Sequence, residues 1–153
     1  GADKAFWENY KKVYTEGLAD AEKGNSQVFD SIFENPDEMP GRHLSPAACR
    51  AALFILLYRG YPLLQLPFQL LNVLLEIDEQ LSSWRYRHMN MVHRMIGTRI
   101  GTGGSTGKDY LKAAADKHYI FKEIAQLNSF LAERRKLPQL STALEKMLGF
   151  VAA

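Results

Sequence analysis

The sequence predicts an all-α fold, and three observations carry that expectation. Apolar residues recur at helical spacing along almost the whole chain. No stretch alternates apolar and polar residues as a half-buried strand would. Glycine and proline cluster between the periodic stretches, where they punctuate connections. Phe6, Trp7, Tyr10, Val13, Tyr14 and Leu18 form one apolar stripe on a first helix, expected to end near Gly24. Val28, Phe29, Ile32 and Phe33 indicate a short second helix. Two prolines and a glycine make residues 34–41 a loop. Ser45 and Pro46 read as an N-cap and a first helical position, opening a helix that runs to about Tyr58. Residues 59–62 break it. A further helix is expected from near Pro67 to near Gly97, about 45 Å at helical rise, long enough to be the backbone of a bundle. Residues 97–107 hold five glycines and read as a loop. Shorter helices are expected at residues 108–115, 118–132 and 141–148.

Composition bounds the function. The 153 residues suit one domain, and 46% hydrophobic with 24% charged residues is ordinary for a globular chain with a sizeable core. The net charge of +2 argues against nucleic acid as a partner, because phosphate binding needs a concentrated basic face. The longest apolar stretch, residues 51–75, is interrupted by Arg59, Gly60, Pro62 and Pro67, so no membrane span is expected. The N-terminus lacks the apolar core of a signal peptide. The single cysteine, Cys49, lies in an apolar helical stretch and reads as a small buried hydrophobe. A reducing, cytoplasmic setting follows from that usage. The chain also starts mid-pattern, which reads as a fragment or processed product.

Four histidines invite a chemical reading. His43 lies in the loop before Ser45, and His118 in a charged stretch; neither neighbourhood suggests chemistry. His88 differs. At helical spacing its neighbours are Trp84, Met91, Val92 and Met95, an apolar face with one imidazole in its middle. An imidazole buried there is expected to stay neutral, the form a metal takes. On spacing alone a satisfied core histidine is the better account. His93 sits roughly 140° around the helix and cannot share a metal from the same face. If His88 binds metal it does so alone, which on an all-α frame suggests haem, whose porphyrin supplies the other four ligands.

Residues 101–108 resemble a phosphate-binding loop only superficially. Thr102 stands where the first glycine belongs, Asp109 stands where a magnesium-binding hydroxyl belongs, and no strand precedes them. A nucleotide site is rejected. Such a loop can close over a ligand or simply connect helices. Arg85, Arg87, Arg94 and Arg99 read by default as the solvated face of a long helix.

Taken together, Trp84, His88, Met91-Val92, Arg94, Ile96-Gly97 and the run Gly101-Thr102-Gly103-Gly104-Ser105-Thr106-Gly107 resemble the signature of the tryptophan 2,3-dioxygenase family. Upstream, Tyr58-Arg59, Pro62, residues 65–69 and Ile77-Asp78 also fit; downstream, residues 109–111 do. The resemblance is strong over residues 45–135 and looser over the first 44. It implies a helical bundle around a haem site with one long central helix. Residues 1–153 would be a single haem-dioxygenase-like domain, the C-terminal half of a longer family fold. It implies haem b as cofactor, L-tryptophan or a related indole and O₂ as substrates, N-formylkynurenine as product, and a homotetramer. By position, His88 matches the proximal haem ligand and Trp84 the tryptophan beside it. Thr102 matches the loop threonine at the amino-acid end of the substrate, with Gly103, Gly104 and Ser105 as its substrate-binding neighbours. The distal pocket and the carboxylate-binding arginine belong to the other half of the family fold, so no catalytic residue is assigned. Two alternatives stay open: a related haem enzyme acting on another aromatic amino acid or indole, and a non-catalytic helical fragment.

Overall fold

The computed structural model describes residues 1–35, 41–96, 109 and 119–149. Among these every regular element is helical. The α-helices are α1 (Ala2–Glu16), α2 (Asn25–Phe33), α3 (Pro46–Leu57), α4 (Pro62–Ile96), α5 (Lys122–Gln126) and α6 (Thr142–Leu148). Short 3-10 turns lie at Asp20–Glu22, Leu127–Phe130 and Arg134–Lys136. Of the helix expected at residues 108–115 only Asp109 is among the described residues, and it is helical. No single helix among the described residues is long and apolar enough to cross a membrane.

Where signals are local, the elements follow them. Ser45 caps α3: its hydroxyl accepts the Ala48 N–H at 3.1 Å, and Pro46 opens the helix. Ser141 does the same for α6 through the Leu144 N–H at 3.2 Å. Gly149 ends α6 at φ 104°, a left-handed conformation that favours glycine.

Three boundaries differ from the sequence reading. First, α1 stops at Glu16, not near Gly24. Gly17 and Leu18 close its last turn with tighter bonds to the Tyr14 and Thr15 carbonyls, at 3.1 and 3.3 Å. The Ala19 N–H turns instead to the Glu22 carboxylate at 3.1 Å, a side-chain partner that competes with helix continuation. Second, α4 begins at Pro62 and carries Pro67 inside it. Pro62 is preset for the first helical position, and the missing Pro67 N–H leaves only the Leu63 carbonyl without its helical donor. Third, the helix expected over residues 118–132 is shorter. It begins at Lys122, tightens to a 3-10 turn at Leu127, and ends as Leu131 becomes extended at ψ 128°.

The chain divides into two compact units, Gly1–Leu71 with Glu123–Ala153, and Asn72–Lys122. The core of the first is aromatic. Tyr10, Phe29, Ile32, Phe33, Cys49, Leu53 and Leu127 are almost wholly removed from solvent, and Cys49 takes its expected place. Phe29 meets Phe33 at 4.6 Å between ring centroids, and Phe33 meets Phe130 edge-on at 5.4 Å. Tyrosines fasten the segment around residues 130–138 to the helices. Tyr10 donates to the Phe130 carbonyl at 2.5 Å and accepts from the Ala132 N–H at 3.1 Å. Tyr58 donates to the Pro138 carbonyl at 2.6 Å. The buried Glu123 accepts the His43 N–H at 2.8 Å, so the loop histidine is held by its backbone. In the second unit, α4 buries Asp78 and Met89 on one face.

Candidate functional site

The second unit presents a second, different face of α4. Val73, Ile77, Trp84, Met91 and Met95 recur at three- and four-residue spacing, which puts them on one side of the helix. All five are exposed, Trp84 by 61% and Met95 by 77%. His88 lies in the middle of this stripe and is itself exposed. This corrects the expectation of a buried imidazole. The helix is apolar on more than one side: it buries the side bearing Asp78 and Met89, and the stripe with His88 is a different side that stays exposed.

The structure brings His88 and Trp84 together. Their rings are parallel to within 10°, with centroids 5.3 Å apart. The i, i+4 spacing makes the two side chains neighbours on the helix surface. Stacking restricts rotation of the imidazole, so its nitrogens keep a defined direction relative to the helix. His93 is half-buried on another side, and its Nδ1 is buried without a hydrogen-bond partner among the described residues. Arg87 and Arg94 are exposed, as a solvated face requires, whereas Arg85 is half-buried. Thr102, Gly103, Gly104, Ser105, Arg99 and His118 lie outside the described residues.

The donor set tests the fit to a metal. Among the described residues no three His, Cys, Asp or Glu side chains gather into a metal-holding cluster. A bare divalent ion at His88 would therefore find one protein ligand. A macrocycle that brings its own equatorial donors needs only that one, together with an apolar surface for its rim. Ile77, Trp84, Met91 and Met95 supply such a surface beside the imidazole. These residues fit a haem.

In the sequence Asp78 has a place in the family resemblance but no structural role. Its two carboxylate oxygens accept the Ile120 and Phe121 N–H groups at 3.0 and 2.6 Å, and one turn on Ser82 Oγ lies 3.2 Å from Tyr119 Oη. The available signal was an acidic residue at helical register with apolar Met89 on the buried face of α4.

Comparison with known proteins gives a consistent result. The sequence model of the family described as "Tryptophan 2,3-dioxygenase" matches residues 2–131. Proteins of that name from Alteromonas mediterranea and Bdellovibrio bacteriovorus are 37% and 36% identical, over 97% and 98% of this chain. The matched parts make up 48% and 49% of those proteins. The Xenopus laevis protein of the same name is 40% identical over 87% of this chain and 34% of its own length. The chain thus spans about half the length of the first two relatives. With a family match covering most of its length and the His88–Trp84 pair set on an exposed apolar face of α4, the chain belongs to the tryptophan 2,3-dioxygenase family.

Proposed function

We propose that this chain is the haem-bearing portion of a dioxygenase that opens the C2–C3 bond of the L-tryptophan indole with O₂, giving N-formylkynurenine in tryptophan catabolism. Both oxygen atoms of O₂ enter the product, so no external reductant is needed. The observation that carries the reading is the lone imidazole of His88, stacked on Trp84 and flanked by apolar side chains, in a chain of this family. Haem b bound here would supply the redox-active iron that the reaction with O₂ needs. His88 would donate a neutral nitrogen lone pair as the proximal ligand. Trp84 would hold that ring in one rotation. Ile77, Met91 and Met95 would keep water from the proximal side. Thr102, with Gly103, Gly104 and Ser105, would offer a hydroxyl and backbone N–H groups to the amino-acid end of the substrate. A homotetramer is part of the same proposal.

Titration of the purified chain with haemin tests the cofactor. A Soret band that His88→Ala removes and His93→Ala leaves is the expected result. Addition of the N-terminal half of a relative, such as the Alteromonas mediterranea protein, with L-tryptophan and O₂ should then give the ring-opened product. No Soret band under any of these conditions would identify a non-catalytic helical fragment instead. A Soret band with turnover of a different indole would reassign the substrate.

A further inference from the structure

Arg59 and Arg134 line one small cavity of the first unit, about 130 Å³ in volume, whose walls are Leu56, Leu57, Leu131 and Leu137. Among the described residues neither arginine forms an ion pair. The neighbouring carboxylates are engaged elsewhere. Glu133 is taken by Arg135 at 2.6 Å and Lys136 at 3.4 Å. Glu145, which lines the adjoining cavity with Arg134, accepts the Tyr61 hydroxyl at 2.9 Å. Two guanidinium groups thus line one space with their charge uncompensated.

Both are also held in place. Arg59 Nη1 donates to the Leu56 carbonyl at 3.3 Å, and the guanidinium lies over the Phe68 ring, 5.4 Å from its centroid. Arg134 rests against Gly60: a Cβ at that position would come within 2.9 Å of Arg134 Nη2. The left-handed glycines among the described residues are Gly41 and Gly149, so Gly60 has a backbone that alanine can adopt. What glycine supplies there is room for the guanidinium. Both arginine side chains stay open to solvent, so a ligand can reach them.

We propose that this cavity binds a small organic carboxylate with a short aliphatic body. A planar guanidinium pairs with a carboxylate through two parallel N–H···O bonds. The leucine walls select the rest of the ligand. A phosphate would turn oxygen atoms toward them and leave those oxygens without donors, which is unfavourable. An aliphatic body would instead bury apolar surface there. The volume lies below the roughly 300 Å³ at which drug-sized pockets begin, so the body is short.

Calorimetric titration of the full chain with sodium butyrate, against sodium chloride of equal ionic strength, tests this. One butyrate per chain is expected, with inorganic phosphate bound about tenfold more weakly. Arg59→Gln and Arg134→Gln should each weaken butyrate binding about tenfold. Arg134→Lys should do nearly as much, because an ammonium keeps the charge and loses the fork. Gly60→Ala should weaken binding by displacing the guanidinium, with the unfolding midpoint of the ligand-free chain unchanged. If Arg59→Gln does not fold, Arg134→Lys and Gly60→Ala decide by the same readout. Absence of saturable butyrate binding, or binding that Arg134→Gln and Gly60→Ala leave unaltered, overturns the proposal. Phosphate bound as tightly as butyrate also overturns it and leaves an unselective anion site. Loss of association with the N-terminal half of a relative in Arg134→Gln, without any butyrate binding, assigns the arginines to a partner protein's carboxylates instead.

Discussion

At the scale of single residues, His88 and His93 form a natural control pair. Both are imidazoles on α4, five positions apart, but only His88 sits on the exposed apolar stripe. His88→Ala should abolish the five-coordinate ferrous spectrum of the haem-loaded chain, and His93→Ala should leave it; the reverse pattern would refute the helix-face argument. Thr102→Ala separates substrate from cofactor. Loss of one hydrogen bond to a charged ligand group is worth about 1.5 kcal/mol, so kcat/KM should fall roughly tenfold with haem content unchanged. Haem loss on that substitution would move the segment from substrate contact to cofactor support. Tyr58 makes a stability prediction. Burial pushes its hydroxyl from the ordinary 10.0 up to about 12, because the phenolate would be desolvated. The folded state therefore holds its proton more tightly than the unfolded chain. That contribution to stability is full below pH 10 and is lost as pH rises from about 10 to about 12. Burial raises the Tyr10 hydroxyl in the same direction, so the two reinforce each other. Denaturant titrations across this range should show the decline, and Tyr58→Phe should make it shallower. The same variant should cost about 1 kcal/mol at neutral pH through the lost bond to the Pro138 carbonyl.

At the scale of elements, signals contained within a few residues were legible and signals depending on distant partners were not. Ser45-Pro46 and Ser141 announce helix starts through their own chemistry, and both caps form. Ser45→Ala should therefore lower stability by about 1 kcal/mol, read as a shift in denaturation midpoint with unchanged slope. Pro67 misled because a proline reads as a start, whereas the helix begins at Pro62 and absorbs one missing bond. The end of α1 was missed because apolar periodicity continues to Leu18 although the backbone turns at Gly17. The candidate site divides in the same way. That Trp84 lies beside His88 follows from four-residue spacing, so it was readable; the parallel stacking of their rings was not. The exposure of His88 was not, since a periodic pattern shows that a face is apolar but not which of two apolar faces the fold covers. The role of Asp78 is not readable from the sequence because its partners, Ile120 and Phe121, lie more than 40 residues away.

At the scale of the whole molecule, the uncovered face of α4 decides how the chain behaves in solution. Monomeric soluble proteins rarely leave a large contiguous apolar patch open to water. Along the second unit this chain presents Val73, Ile77, Trp84, Met91 and Met95 on one side of a single helix. Each apolar Å² withheld from water is worth about 25 cal/mol, so two such faces meeting would gain several kcal/mol before the cost of association. The protein free of haem should therefore self-associate, with a sedimentation coefficient that rises across a concentration series. Haem would cover part of the stripe through His88, and the N-terminal half of a relative would cover more. Each addition should lower the association and raise the unfolding midpoint, because a ligand that binds only the folded state stabilises it. Replacing Ile77 and Met95 with Gln should weaken self-association without disturbing the aromatic core, which lies in the other unit. A concentration-independent, haem-free monomer with a sharp thermal transition would show that the stripe is tolerated in water. It would also remove the reason to expect a covering partner and favour an independent helical module.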